Sequence, residues 1–218
     1  MYIPKHFEEN DLTEVASLIK EFGFATLVST ANGLPRATHI PLELVIDKDG
    51  AWKLHGHMAR ANPQWRDFAD QADVLVIFMG PDSYVSPSWY DHKNVPTWNY
   101  KAVHLSGKAH TIEGEALESM LRAMMHRYES AHAEKPLVYE EVPRDLLDMD
   151  LRALVGIEII VEKIEAASKL SQNRNEASYE SIIGHLKKSD AYDSKRIAEE
   201  MEKKRLMTPT PPEGGLNT

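Results

Sequence analysis

Short runs rich in valine, isoleucine, leucine and aromatic residues follow one another near the start of the chain, with turn residues between them. Asn32-Gly33 separates the first two runs, and the segment 47–50, which ends in Gly50, separates the next two. Glycine and asparagine readily adopt the positive φ angles that tight hairpins need. We therefore predict strands at 24–30, 37–46, 51–57 and 74–79, with the first three joined as an antiparallel meander.

The rest of the chain combines helical patterns with two further strands. Asp11 and Glu14 have the spacing of a capping box, and Asn62-Pro63 combines a capping residue with a proline suited to the first helical position. We predict helices at 11–22, 62–68, 115–129 and 143–152, strands at 98–111 and 154–164, and a proline-containing loop at 81–96. Beyond residue 169 the pattern is helical and strongly charged.

About six antiparallel strands with helices inserted between them predict a mainly β, α+β fold, namely a β-barrel with C-terminal helices. We expect residues 1–187 to form one domain, followed by a charged C-terminal helix at 188–207. Residues 208–218 are rich in proline and glycine and poor in apolar side chains, so we predict a disordered tail there.

The composition excludes several kinds of site and partner. The chain has no cysteine, which excludes a disulfide, a thiolate nucleophile and a cysteine-ligated metal. It shows no signal-peptide pattern and no run of roughly 18 apolar residues, so we expect a cytoplasmic protein without a membrane partner. The formal net charge of -9 has the wrong sign for general nucleic-acid affinity, so DNA binding would need a local basic patch.

The segment from His55 to Pro63 places a strand end, a basic side chain and a helix start next to one another. Arg60 offers a planar cation, and the backbone N–H groups that follow Asn62 suit an anion, so this corner is typical of a site for a terminal phosphate. Gly56 would let a ligand approach the strand closely. The alternative is that Asn62-Pro63 only caps a helix while Arg60 is a solvated charge.

Three histidines raise the question of a metal site. His55 and His57 alternate along one strand and project to one face, and His39 is expected on the neighbouring strand. Their segment offers no aspartate or glutamate as a further ligand. We therefore interpret these histidines as polar lining of a barrel or an interface and predict no metal site.

Two further segments carry side chains suited to ligand contact. Tryptophan and tyrosine are concentrated in 84–100, a density typical of contacts with a flat ligand or another subunit; the alternative is a cover for one end of the barrel. The segment 169–174 is mostly polar and either reaches over a ligand or provides Ser171 or Asn173 as the cap of a helix near Asn175. The chain has no nucleophile elbow, Walker A loop or GxGxxG loop.

Several segments, taken in order, resemble the Pai-type FMN-binding negative transcriptional regulators, a bacterial group of flavin-binding split-barrel proteins. The matching segments are 1–4 (MYIP), 37–42 (ATHIPL), 56–65 (GHMARANPQW), 84–90 (YVSPSWY), 95–100 (VPTWNY) and 169–173 (KLSQN). The resemblance implies an antiparallel Greek-key FMN-binding split β-barrel, similar to that of pyridoxamine oxidases, over residues 1–187. It also implies a homodimer that holds FMN in grooves between its subunits.

The resemblance further implies which residues bind the cofactor, without assigning a catalytic residue. In the first group, His57, Arg60 and Asn62 would hold the FMN phosphate, Thr38 and His39 on the adjacent strand would face the isoalloxazine, and Met58 and Ala59 would also bind the cofactor. The second group would approach from the partner subunit or close the site: Trp98, Asn99, Tyr100, Lys169, Ser171, Gln172 and Asn173. Ala61 stands where the wider group usually has a second basic residue, so phosphate affinity would depend on Arg60 and backbone donors.

Two classes of function stay open, because the family name implies repression whereas the fold implies flavin chemistry. We expect a flavin-binding dimer that influences gene expression, with DNA as a candidate partner. The alternative is a flavin-dependent oxidoreductase, either an NAD(P)H:FMN reductase or an oxidase, or a haem-processing enzyme that uses His39, His55 or His57. A third alternative is a groove that is empty or holds another phosphate ligand.

Direct DNA binding would depend on basic residues near the C-terminus. These are Lys187, Lys188, Lys195, Arg196, Lys203, Lys204 and Arg205. Glu199, Glu200 and Glu202 are interleaved with them. We therefore interpret this region as a solvated helix face rather than a DNA-binding surface.

Overall fold

The computed structural model describes residues 1–68 and 72–207, so the predicted tail at 208–218 lies outside the described residues. The helices are α1 (Leu12–Glu21), α2 (Gly114–His132), α3 (Arg144–Ala153), α4 (Glu176–Lys188) and α5 (Tyr192–Met207). The strands are β1 (Phe24–Ala31), β2 (Leu34–Ile46), β3 (Trp52–Ala59), β4 (Ala72–Val85), β5 (Thr97–Ile112) and β6 (Leu154–Lys169). Short 3-10 helices occupy Lys5–Phe7, Pro63–Phe68, Pro87–Trp89 and Tyr139–Glu141. None of the described helices is long and apolar enough to cross a membrane.

The six strands form a closed barrel in the order β1-β2-β3-β6-β5-β4. β1 pairs antiparallel with both β2 and β4, and β3 pairs antiparallel with both β2 and β6. The fourth strand therefore returns to lie beside the first, and the spatial order β4-β1-β2-β3 is that of a Greek key. This topology confirms the predicted α+β class, with an antiparallel Greek-key barrel and C-terminal helices.

The β1–β2 hairpin forms at a predicted turn. Asn32 and Gly33 have φ angles of 53° and 76°, the left-handed values that a two-residue hairpin turn of this kind requires. The turn sets the register of the ladder and brings His39 opposite Thr26.

The chain divides into two compact units, which we describe separately. The first unit contains Met1–Asp11, Met79–Ala102 and Ala166–Thr218, and the second contains Leu12–Phe78 and Val103–Glu165. β1, β2 and β3 belong wholly to the second unit, whereas β4, β5 and β6 contribute residues to both.

Each unit has its own apolar core. In the second unit, β3 alternates buried and half-buried side chains, and Leu54 is fully buried. Leu117 and Met120 of α2 form a smaller buried cluster in the same unit. In the first unit, α4 and α5 pack together around buried side chains such as Ile182 and Ile197. Burial of these apolar faces provides the main stabilisation of both units.

β4 is longer than the sequence predicted and extends into the segment expected to be a loop. Pro81, Ser83 and Val85 are buried, whereas Asp82 and Tyr84 between them are exposed. This alternation shows that the two-residue period of the strand continues through the proline. Proline does not end the strand here, because it removes only one backbone donor and leaves the extended conformation accessible.

Candidate functional site

The residues predicted to bind the cofactor fall into two groups, one in each unit. The group from residue 38 to residue 62 lies in the second unit, on β2, on β3 and in the turn after β3. The residues at 98–100 and 169–173 lie in the first unit, near the start of β5 and around the end of β6.

A hydrogen-bond network joins β2 to the turn after β3 in the second unit. Asn62 Nδ2 donates to Thr38 Oγ1 at 2.9 Å, and the Thr38 hydroxyl donates to Gln64 Oε1. Asn62 Oδ1 accepts the backbone N–H of Gln64 at 3.0 Å, at the start of the short helix Pro63–Phe68. The structure therefore brings Thr38 and Asn62 into direct contact and fixes both side chains.

Gln64 is the centre of this network, although sequence reasoning gave it no role. Its side chain is buried, and Nε2 donates to the carbonyl oxygens of Leu27 and Arg36 at 3.3 Å each and to Ser29 Oγ at 3.0 Å. One amide thus connects β1, β2 and the short helix. The available signal was its position in the matching segment 56–65.

Arg60 is held at the end of β3 by backbone carbonyl groups. Its Nε donates to the carbonyl of Arg152 at 3.1 Å, and its Nη2 donates to the carbonyl of Leu154 at 3.0 Å. Nη2 also lies 2.8 Å from a Glu113 carboxylate oxygen. Nη1 makes no hydrogen bond within residues 1–68 and 72–207, the guanidinium carbon lies 5.7 Å from the centre of the Trp65 ring, and the side chain is 38% exposed. One edge of the guanidinium is therefore fixed by the protein, while Nη1 is suited to an anion.

His57 carries a buried nitrogen that lacks a protein partner. Its Nδ1 is shielded from solvent and makes no hydrogen bond within the part of the chain that the structure describes. Burial lowers the pKa of the His57 imidazole, so the ring is neutral at pH 7. Buried polar atoms are nearly always hydrogen bonded, so this nitrogen fits a polar atom of a bound cofactor.

Met58 and Ala59 occupy the last two positions of β3, between His57 and Arg60. Met58 is buried and Ala59 is exposed. Together with the orphaned nitrogen of His57 and the partly exposed Arg60, this strand end fits a cofactor that carries a phosphate.

The histidines do not share one cluster. His55 Nε2 lies 2.6 Å from Glu158, and His110 Nε2 lies 3.0 Å from the other oxygen of the same carboxylate. His39 lies on β2 as expected, but it precedes the β2–β3 ladder, which begins at Leu42, and its Nδ1 is 3.0 Å from the hydroxyl of a β1 residue. No group of three or more side chains in the described ranges is arranged to hold a metal ion.

Glu158 comes from β6, a strand that lies more than a hundred residues after His55 in sequence and pairs directly with β3. Burial alone would raise the pKa of Glu158, but hydrogen bonding to His55 and the charges of Lys53 and His110 make the net shift a lowering. The carboxylate therefore stays ionised and anchors both imidazoles.

Gly56 has a different role from the one predicted. A Cβ at this position would lie 2.6 Å from the carbonyl oxygen of Pro41 and 2.6 Å from a methyl group of Leu42. The glycine therefore permits the close approach of β2, and the space expected for a ligand is filled by that strand.

In the first unit, Asn99 and the segment after β6 form a buried polar contact. Asn99 is fully buried; its Oδ1 accepts a hydrogen bond from Ser171 Oγ at 3.0 Å, and its Nδ2 donates to Met201 Sδ at 3.5 Å. Ser171 has a φ angle of 62°, which is unusual for a residue other than glycine. Lys169 Nζ donates to Thr97 Oγ1 at 2.6 Å, and burial lowers the pKa of this lysine.

Gln172 and Asn173 differ in their surroundings. The side chain of Gln172 folds back onto the backbone of residues 168–170, whereas Asn173 is exposed. The suggestion that Ser171 or Asn173 caps the following helix is wrong. Asn175 is the cap, because its Oδ1 accepts a backbone N–H three residues further on at 3.0 Å.

Trp98 presents an aromatic surface to solvent. Its side chain is 53% exposed and its ring lies edge-on to that of Tyr84, with 6.0 Å between the ring centroids. Tyr100, two residues along β5, is half-buried. An exposed pair of large aromatic rings is typical of a contact surface.

Acidic side chains accompany the basic residues of the C-terminal helices. Lys187 pairs with Glu202 at 2.6 Å, and Arg205 pairs with Glu176 at 2.9 Å and also with Glu180. These ion pairs neutralise much of the local positive charge. They agree with the interpretation of this region as a solvated helix face.

Comparison with known proteins finds matches over most of the chain. The model of the family described as "Putative FMN-binding domain" matches residues 1–163. The chain is 45% identical over 204 residues to "Protease synthase and sporulation protein PAI 2" of Bacillus subtilis (strain 168), which covers 94% of this chain and 98% of that protein. It is also 32% identical over 169 residues to an uncharacterized protein of Saccharomyces cerevisiae, covering 66% of this chain and 99% of that protein.

Solved structures share the fold at low sequence identity. The flavocytochrome Anf3 of Azotobacter vinelandii has a TM-score of 0.58 and 16% identity, covering 82% of this chain and 78% of that chain. The FAD and heme binding protein of Mycobacterium smegmatis has a TM-score of 0.55 and 18% identity, covering 74% and 73%. The chain belongs to the FMN-binding domain family, which confirms both the resemblance seen in its sequence and FMN as the expected cofactor.

Proposed function

We propose that this protein is a flavin-binding homodimer of the negative-regulator type, which influences gene expression through bound FMN rather than by direct contact with DNA. The observation that carries the proposal is the end of β3. There a buried His57 nitrogen and the Arg60 Nη1, neither of which makes a hydrogen bond among the described residues, belong to residues three positions apart in the chain.

The side chains at this strand end would hold FMN in distinct ways. Arg60 would offer Nη1 to the phosphate, while its bonds to the carbonyls of Arg152 and Leu154 fix the guanidinium plane. The neutral His57 ring would complete its hydrogen bonding on the cofactor. Thr38 and Asn62 would border the ligand with side chains that the network around Gln64 already orients. FMN, when bound, supplies one- and two-electron redox chemistry.

The second group of residues supports the homodimer in this proposal. Trp98 and Tyr84 form an exposed aromatic pair, and Trp and Tyr are enriched at the centres of subunit interfaces. The buried bond between Asn99 and Ser171 holds the segment after β6 in a defined shape. We propose that this surface meets the flavin site of a second copy of the chain.

Charge supports an indirect role in regulation. The chain carries a formal charge of -9, and basic residues of α4 and α5 such as Lys187 and Arg205 are paired with glutamates. Binding to DNA phosphates requires basic side chains that can release counterions. We therefore expect no salt-dependent binding of promoter DNA in a gel-shift assay.

The first experiment is the visible absorbance spectrum of the purified protein, with and without added FMN, after gel filtration. Retained flavin bands are the expected result. Arg60→Ala should lower FMN affinity by about 1.5–3 kcal/mol, the usual value of a charge-assisted hydrogen bond. Arg66→Ala, which removes an exposed arginine of the next turn, is the matched control and should bind FMN as the native chain does.

Three results would contradict the proposal. Unchanged FMN affinity in Arg60→Ala would remove Arg60 from the phosphate site. Rapid NAD(P)H oxidation by the flavin-loaded protein would favour the oxidoreductase alternative, and salt-dependent retention of promoter DNA would show direct DNA contact.

A further inference from the structure

A small cavity lies in the second unit between α1, β2 and α2, lined by none of the residues predicted to bind flavin. Its volume is about 130 Å³, and Ile19, Leu42 and Ala131 form part of its apolar wall. An apolar cavity of about 150 Å³ holds benzene, so this volume suits a ligand of about six non-hydrogen atoms.

Glu43 lines this cavity and is the buried charged group on β2. Its side chain is only 9% exposed, and Oε1 has no hydrogen-bond partner among the described residues. Oε2 lies 3.7 Å from Arg127 Nη1, beyond a good hydrogen bond. Burial raises the pKa of Glu43, although Arg127 and His55 oppose this shift. Buried carboxyl oxygens normally accept a hydrogen bond, so this group favours a ligand that carries a hydrogen-bond donor.

Three basic side chains line the same cavity: Lys20, Arg127 and His132. Lys20 makes no hydrogen bond or ion pair within residues 1–68 and 72–207. His132 Nδ1 donates to the carbonyl of Tyr128 at 2.8 Å, which leaves Nε2 as its other polar atom. A single acid next to these basic groups leaves a local excess of positive charge, which favours an anionic group on any ligand.

We propose that this cavity binds a small zwitterion, an α-amino acid of the size of alanine, whose ammonium group donates to Glu43 and whose carboxylate lies against Arg127 and Lys20. The ammonium group would donate to Glu43 Oε2, which lies 3.7 Å from Arg127 Nη1, beyond a good hydrogen bond, while Oε1 is shielded from solvent. The short side chain of the ligand contacts Ile19 and Ala131. This site does not depend on the proposed function at the flavin site.

Isothermal titration calorimetry with L-alanine on the full chain tests the proposal, with propylamine and propionate as probes that each carry one charge. L-alanine should bind at least about tenfold more tightly than either probe, because each lacks one charge-assisted contact. Glu43→Gln should weaken alanine binding by at least about tenfold for the same reason. Ala131→Leu should weaken it similarly, because the added side chain fills the cavity and leaves all charges in place.

Glu21→Gln is the matched control, since Glu21 is an exposed acid at the end of α1 that does not line the cavity. Its alanine affinity should equal that of the native chain. The proposal is overturned if L-alanine releases no heat, if the single-charge probes bind equally well, or if Glu43→Gln and Ala131→Leu bind alanine unchanged. Flavin absorbance is recorded for every variant, so that loss of alanine binding with flavin retained is attributed to this cavity.

Discussion

Gln64 illustrates how a single buried amide can organise the residues of a candidate ligand site. It accepts a hydrogen bond from Thr38 and donates to groups on β1 and β2, so its position orients two strands and one predicted cofactor residue. Its backbone N–H is bonded to Asn62 as well. Thr38 and Asn62, both predicted to bind the cofactor, therefore contact Gln64: Thr38 donates to its side chain, and Asn62 accepts its backbone N–H.

Replacement of this amide should be strongly destabilising. Gln64→Ala would remove four side-chain hydrogen bonds and leave a buried space, and we expect the free energy of unfolding to fall by about 2–4 kcal/mol. Urea denaturation followed by circular dichroism measures this change. Arg66→Ala, two residues away and exposed, should change stability by less than about 0.5 kcal/mol. A similarly small effect for Gln64→Ala would show that the network does not stabilise the site.

At the scale of strands and helices, two glycines differ in what an added Cβ would contact. A Cβ at Gly56 would contact the backbone of β2, whereas a Cβ at Gly184 in α4 would have nothing within 4 Å. Gly56→Ala should lower the free energy of unfolding by about 1–3 kcal/mol through overpacking. Gly184→Ala should raise it by about 0.5–1 kcal/mol, because alanine is the better helix former. Urea denaturation compares the two variants, and equal effects would contradict the interpretation of Gly56.

The start of α4 is connected to the preceding loop by one carboxylate. Asp91 accepts hydrogen bonds from Ser178 Oγ at 2.7 Å, from His92 Nδ1 at 2.6 Å and from Asn175 Nδ2 at 3.0 Å. These bonds, with that from Ser178 the largest contribution, lower the pKa of Asp91 to about 2. The folded chain therefore keeps this carboxylate ionised at pH values where the unfolded chain has already protonated it.

This difference predicts how stability depends on pH. The contribution of Asp91 is fully present above its ordinary pKa of 3.8 and is lost as the pH falls towards 2. The stability difference between the native chain and Asp91→Asn should therefore be constant near neutral pH and shrink in acid. Urea denaturation near neutral pH and in acid measures this stability difference. Asp190→Asn, at an exposed position, is the control for loss of a surface charge. A difference that is unchanged in acid would contradict the hydrogen-bonded role of Asp91.

At the scale of the whole molecule, the proposed homodimer depends on exposed aromatic surface. Trp98→Ala should weaken dimerisation by about 2 kcal/mol or more, as expected for a tryptophan at the centre of an interface, and should weaken flavin binding with it. Sedimentation equilibrium measures the free energy of dimerisation, and flavin titration measures the flavin affinity. Tyr192→Ala removes another exposed aromatic side chain, 69% exposed, and should change neither. If Trp98→Ala keeps both dimerisation and flavin binding, Trp98 covers one end of its own barrel instead of forming the interface.

Local chemistry in the sequence was sufficient to identify most elements of the barrel. The hairpin at Asn32-Gly33, the two-residue alternation of β3 and the helix at Leu12–Glu21 each depend on residues within a few positions of one another. The matching segments also identified the family, because their order and content are specific. The sequence was also sufficient to indicate that Arg60 and Asn62 follow the end of a strand.

The partners of those residues were decided by the tertiary structure. Glu158 joins His55 to His110, Arg60 bonds to carbonyl groups at the end of α3 and the start of β6, and Glu43 faces a helix that begins about seventy residues later in the chain. The physical reason is the strand order: pairing of β3 with β6 brings together residues about a hundred positions apart. Composition and periodicity specify which faces are apolar, but they carry no information on which distant strand covers them.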